Sequence, residues 1–278
     1  MNLLSYIHWN IDPVIFSAGS FEFRYYGIFF ASGFIIGYYI MQYIFQREKV
    51  PIKELDKITT YSIIGTIIGA RLGHVIFYQP QYYLENPIEI LMIWHGGLAS
   101  HGGAIGILIA LYFFSRKSTK KSYLWTLDRF VIPTALAGFF IRIGNLMNSE
   151  IYGYETSVPW GFIFDRNNEV VPKHPTQIYE ALAYLFIFIF LFFIYKKYKG
   201  KNPKGMLFGI FLVGVFGFRF FIEFLKQNQA DFEQNIFLNM GQILSIPFII
   251  AGIFFIYKAL KKNTGEIVEE NKVMENSD

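Results

Sequence analysis

No cysteine occurs among the 278 residues. That excludes a cysteine nucleophile or a thiolate metal site belonging to the protein, and leaves no thiol of its own to oxidise on an outer face. Charge is also scarce: 17 % of residues are charged, against 53 % apolar and 20 % aromatic, too hydrophobic a balance for a disordered chain. There is no Gly-x-Ser-x-Gly nucleophile elbow, and Ser100 beside His101 lacks the third, orienting member of a hydrolase triad. His95 and His101 are not spaced as a metal pair and have no clustered carboxylate, so no metal is expected. No internal repeat appears, which weakens an inverted-repeat transporter. A removable signal peptide is not expected either. The first 25 residues lack a basic n-region and include Asp12, Pro13 and Glu22, and read as an external segment on the membrane surface anchored by Trp9.

What the chain has is long apolar runs. A spanning helix needs about 20 residues to cross roughly 30 Å of hydrocarbon. Seven stretches qualify, at about 26–45, 58–78, 88–114, 124–144, 178–195, 205–225 and 239–258. The expected fold class is therefore an all-α integral membrane protein with seven transmembrane helices. The net charge of +4 is no nucleic-acid signal, because the basic residues are sorted by loop. Loops 46–57, 115–123 and 196–204 and the start of the tail carry most of them, with few in the alternate loops. By the positive-inside rule the N-terminus lies outside and the C-terminus in the cytoplasm. Residues 1–262 are expected to form one membrane domain with a small, irregular external head at about 145–177. Residues 263–278 are expected to be a solvated, disordered acidic tail in the cytoplasm.

Four arginines lie within or at the ends of these runs: Arg71, Arg129, Arg142 and Arg219. An ionised side chain in hydrocarbon is costly and marks a functional pathway by default. The topology sets three of them in the outer half of the bilayer, which points to something anionic held near the external face. The end of the fourth run places Arg142, Asn145 and Glu150 at headgroup depth. In the sixth, Glu223 follows Arg219 by one turn on the same face. Bland readings stand beside these: a snorkelling Arg142, a structural Arg219–Glu223 pair, a packing role for mid-membrane His101, and an interfacial Asp128–Arg129 pair. The glycines of Trp94–Gly103 allow either close helix packing or a broken, re-entrant segment. Thr176 is expected to cap the fifth helix, with Glu180 one turn inside.

Six motifs in order then resemble bacterial prolipoprotein diacylglyceryl transferases over nearly the whole chain. They are Arg24-Tyr25-Tyr26-Gly27, Gly69-Ala70-Arg71-Leu72-Gly73, His101-Gly102-Gly103, Arg142-Ile143-Gly144-Asn145 with Asn148-Ser149-Glu150 and Gly153, His174 to Glu180, and Arg219 to Phe224. The resemblance implies transfer of the diacylglyceryl group of phosphatidylglycerol to the lipobox cysteine thiol of a prolipoprotein signal peptide, giving a thioether and glycerol phosphate. It implies the bacterial plasma membrane as location, lipid and signal peptide as partners, and no cofactor. Arg142 and Arg219 would hold the lipid phosphate and stabilise the leaving group, and His101 would take the thiol proton. Tyr26, Asn145, Glu150, Gly153 and Glu223 would belong to the same site, Glu223 orienting Arg219. The chain departs from the family pattern at His74, where tyrosine is common, and in lacking a tyrosine shortly before Arg219. An anion or lipid transporter using the same arginines is the competing class.

Overall fold

A computed structural model describes residues 6–19, 21–119, 121–227 and 238–275. Eight helices dominate: α1 (Tyr25–Arg47), α2 (Ile52–Phe77), α3 (Pro80–Glu85), α4 (Ser100–Lys117), α5 (Tyr123–Met147), α6 (Thr176–Lys197), α7 (Met206–Ile222) and α8 (Met240–Glu275). Six of them, all but α3 and α4, are long and apolar enough to cross a membrane, and they coincide with six of the seven predicted runs. The helical backbone of α8 continues through the stretch from Asn263 expected as a tail.

The seventh run, 88–114, is not one helix. It breaks into 3-10 turns at Pro87–Leu91 and Ile93–His95, and α4 starts only at Ser100. Two causes are visible. Gly96 and Gly97 have φ of 85° and 68°, which a right-handed helix cannot contain. The carbonyls that a continuous helix would use internally are instead taken by Arg71. Its Nε donates to Ile90 O at 3.0 Å, Nη1 to Gly96 O and Gly97 O at 2.6 and 3.2 Å, and Nη2 to Glu89 O and to Met92 O, the latter at 3.3 Å.

Four short strands add to the helices: β1 (Ile7–Trp9), β2 (Val14–Ala18), β3 (Phe21–Arg24) and β4 (Phe162–Phe164). Alternation over so few residues is too weak to reveal them from sequence. β1 pairs in parallel with β4, which brings Trp9 onto the cluster Leu146, Phe162 and Phe164, and Trp9 Nε1 donates to Leu146 O at 3.0 Å. β2 and β3 form a hairpin in which Phe16 and Phe23 face each other with ring centroids 4.2 Å apart.

The described residues fall into two compact units, one within Met1–Ile40 and Asp128–Asp278, the other Met41–Leu127. The second is built on a seam between α2 and α4. Gly65, Gly69 and Gly73 recur every four residues on α2 and meet Gly102, Gly106 and Ala110 on α4, so the backbones touch. A Cβ on Gly73 would lie 2.7 Å from Gly102 Cα. An apolar groove of about 600 Å³ runs along this pair, edged by Ile64, Ile68, Phe77, Ile105 and Phe113. In the first unit α7 packs on α6 and α8. Asp128 fixes the start of α7: its carboxylate accepts Gly205 N at 2.7 Å and Phe208 N at 2.9 Å, supplying negative charge where that helix presents unpaired N–H groups. Arg129 Nη2 donates to Gly200 O at 2.5 Å. Asp128 and Arg129 therefore hold the loop before α7, beyond the simple ion pair expected of them.

Candidate active site

The candidate residues of the first unit gather where the end of α5, the entry to α6 and the end of α7 meet. Arg142 and Asn145 stand one turn apart on α5, and Arg142 Nη1 donates to Asn145 Oδ1 at 3.3 Å. Asn145 Nδ2 passes the contact on to Glu150 Oε1 at 2.7 Å. Tyr26, half-buried in the first turn of α1, lies over Gly144, where an added Cβ would approach its ring to 2.8 Å. Arg142 Cζ is 6.0 Å from the ring centroid of Tyr184 on α6.

The turn that presents Glu150 is strained. Ser149 and Ile151 have φ of 54° and 61°, a region that a β-branched residue such as isoleucine occupies at a cost of about 1–3 kcal/mol. Three side chains hold it there: Asn167 Nδ2 donates to Ser149 O at 2.7 Å, Gln177 Nε2 to Glu150 O at 2.7 Å, and Thr176 Oγ1 to Ile151 O at 2.8 Å. Thr176 is thus not the helix cap expected of it. Pro175 occupies that position with no side-chain cap bond, and the threonine hydroxyl serves the strained turn instead.

Gly153 is the crossing point of three segments. Its N–H donates to His174 O at 2.9 Å, and it bridges Lys226 beyond the end of α7. A Cβ here would strike Leu225 O and come within 2.9 Å of His174 Cβ. Glycine is required by this backbone approach. His174 is held against Tyr179 OH at 3.3 Å from its Nδ1, and burial pulls its imidazole below its ordinary pKa. In the neighbouring loop Tyr152 OH donates to Glu169 Oε1 at 2.7 Å, and burial raises the phenol above its usual range.

Arg219 and Glu223 are neighbours as the spacing predicts, with Nε 3.6 Å from Oε1. No described residue hydrogen-bonds the terminal nitrogens of Arg219, whose side chain is 39 % exposed. Two further charged residues join the site: Glu180, placed one turn inside the fifth helix without a role there, and Lys226, which was not singled out. Glu180, fully buried, lies 3.2 Å from Arg142 Nη2 and accepts from Lys226 Nζ at 2.9 Å. Lys226, also buried, reaches Glu223 Oε1 at 3.3 Å. The signal for Glu180 was available: it is an ionisable residue inside an apolar run, the criterion that picked out the arginines. Lys226 carried no such signal, being the lone cation of a loop.

His101 belongs to the second unit, at the start of α4, where its ring contacts Phe77 and Tyr78 with centroids at 5.4 and 5.8 Å. Arg71 of the same unit spends all five of its N–H donors on carbonyls, so it stabilises a turn and has nothing left for an anion.

Residues 13–258 match the family model described as prolipoprotein diacylglyceryl transferase. Among curated relatives, a protein of Tolumonas auensis is 47 % identical over 256 residues, covering 92 % of this chain and 98 % of its own length. One of Chloroherpeton thalassium is 47 % identical over 262 residues, covering 94 % of this chain and 97 % of its own. A third, from Porphyromonas gingivalis, is 47 % identical over 275 residues, with 94 % and 97 % covered. All three bear the name phosphatidylglycerol–prolipoprotein diacylglyceryl transferase.

Proposed function

The chain belongs to the prolipoprotein diacylglyceryl transferase family, and from that premise we propose that it moves the diacylglyceryl group of phosphatidylglycerol onto the lipobox cysteine thiol of prolipoprotein signal peptides. The sulfur forms a bond to a glyceryl carbon, the bond from that carbon to the phosphate oxygen breaks, and glycerol phosphate leaves. The transporter alternative has no support, since every relative named above is a transferase.

The observation that carries the reading is the contrast among the arginines. Arg71 is saturated by backbone, whereas Arg219 offers terminal N–H groups that no described residue takes. Arg142, on α5, is tied to Asn145, Glu180 and the Tyr184 hydroxyl, with no second parallel bond to the carboxylate. Two planar guanidiniums so disposed suit a phosphodiester and the charge that grows on it as the carbon–oxygen bond breaks. Tyr26, Asn145, Glu150 and Gly153 order the floor of the site, and Glu223 orients Arg219. The thiol must shed its proton to become nucleophilic, and His101 receives it, a role resting on its motif. The basic loops face the cytoplasm of a bacterial plasma membrane, α4 and the turns before it count as a seventh crossing, and residues 145–177 lie outside. Transfer of radiolabelled glycerol from phosphatidylglycerol to a lipobox peptide by the purified protein tests the reaction directly.

Two results follow from these roles. Glu223→Gln keeps the shape of the Arg219 partner and should lower the rate less than Arg219→Ala. The double variant should be no worse than Arg219→Ala alone, as for coupled neighbours; additive losses in single-turnover rates would dissolve the pair. His101→Gln should lose transfer at neutral pH and recover part of it as pH climbs through the thiol's reference value of about 8.5, where thiolate forms unaided. A flat residual rate between about pH 7 and 9 would reassign His101 to lipid positioning.

A further inference from the structure

Resting on the transferase reading, we propose that Lys226 is a positioning residue of the anion site, which keeps Glu180 and Glu223 from neutralising Arg142 and Arg219. The five side chains form one line of alternating sign, Arg142–Glu180–Lys226–Glu223–Arg219, with successive separations of 3.2, 2.9, 3.3 and 3.6 Å. Its interior is dry: Glu180, Lys226 and Glu223 are 0, 3 and 7 % exposed. Its two ends are less enclosed, the arginine side chains being 16 and 39 % exposed.

Buried carboxylates without water must be paired, and a guanidinium beside one tends to close on it through two parallel bonds. Neither arginine does so. At both carboxylates the lysine and the arginine converge on the same oxygen, Oε1. Glu223 Oε2 is instead approached by Asn239 Nδ2 at 3.3 Å, and Glu180 Oε2 has no hydrogen-bond partner among the described residues. One ammonium therefore serves two carboxylates, so that Arg142 shares Glu180 with the lysine while touching Asn145 and the Tyr184 hydroxyl, and Arg219 meets only Glu223 among the described residues. Three cations and two carboxylates leave the line with a net charge of +1 (3 − 2), which one phosphodiester anion cancels. The lysine is itself fixed by backbone, through its bridge to Gly153 and the bond from Tyr154 N to Leu225 O at 2.8 Å. The glycine that cannot carry a Cβ is thus what seats the lysine.

The test uses the full-length protein and its transfer reaction, with the KM for phosphatidylglycerol measured separately from that for the lipobox peptide. Lys226→Met should raise the lipid KM roughly 30-fold or more, the loss expected when one partner of a buried charge pair is removed, with the peptide KM little changed. Lys226→Met combined with Glu180→Gln removes one cation and one carboxylate, restores the balance, and should recover most of that loss. If Lys226→Met does not accumulate in the membrane, Lys226→Gln carries the same expectations. An unchanged lipid KM in the single variant overturns the proposal. So does a double variant as poor as the single one, which would mean that the ammonium touches the phosphate itself. A wild-type protein that transfers nothing overturns the function, whereas wild-type transfer with either of those variant results overturns only the role of the lysine.

Discussion

Arg142→Ala is expected to cut diacylglyceryl transfer by roughly three orders of magnitude, the upper range for removing one preorganised donor to a developing charge. Two losses combine in it. The phosphate loses a planar two-pronged contact, and Glu180, fully buried, loses one of its two cations. Arg142→Lys separates them. An ammonium can still pair with Glu180 and spare the fold, but it cannot present two parallel N–H groups to a phosphodiester. The lysine variant should therefore reach the membrane in normal amount and still transfer poorly. Near wild-type rates from it, measured with radiolabelled glycerol and a lipobox peptide, would reduce the role of Arg142 to charge alone.

The largest effect on stability is expected at the α2–α4 seam. A Cβ on Gly106 would strike Gly65 O and lie 2.8 Å from Gly69 Cα, both backbone atoms that cannot rotate away. Gly106→Val forces the two helices apart along their whole contact and should cost about 3 kcal/mol or more. Gly103, one turn earlier on α4, is the control. A Cβ there meets nothing closer than 3.6 Å, so Gly103→Ala should be neutral or slightly stabilising, because alanine is the better helix former. The midpoints of thermal unfolding in detergent should separate widely. Equal midpoints would mean that the seam relaxes by sliding, and that backbone contact is not what holds α2 to α4.

Hydrophobic run length was enough to recover six long helices, since nothing but α-helix satisfies the backbone of a 20-residue apolar stretch. It could not choose at 88–114, where the glycines left a packed helix and a broken segment both open and the decisive fact is not local. Arg71, 18 to 26 residues upstream of the carbonyls it binds, competes for them and wins because two glycines free the chain to turn. The same property explains why four intramembrane arginines looked alike in sequence. Depth and charge are legible from spacing, but the destination of each N–H is decided by elements brought together from afar. Arg142 and Asn145 were readable because one helical turn joins them. Glu180 and Lys226, 46 residues apart, became partners only through the fold. The strained turn at 149–151 was equally hidden, since no propensity places isoleucine at positive φ without the three side chains that restrain it.

The broken run has one more consequence, for the lipid around the protein. With 18 residues α4 is about 27 Å long, while α2, packed against it, has 26 residues and is about 39 Å long. The first turn of α4 is Ser100-His101-Gly102-Gly103 and its last carries Arg116 and Lys117, so only the 11 residues from Ala104 to Phe114, about 16 Å, are apolar throughout. If α4 and the turns before it make the seventh crossing proposed above, about 30 Å of hydrocarbon is matched only with the exposed apolar side chains of those turns, Ile88, Leu91, Ile93 and Trp94, added to α4. On that proposal the lipid beside the helix that bears His101 meets turns as well as helix, and acyl-chain length bears on its surroundings together with headgroup.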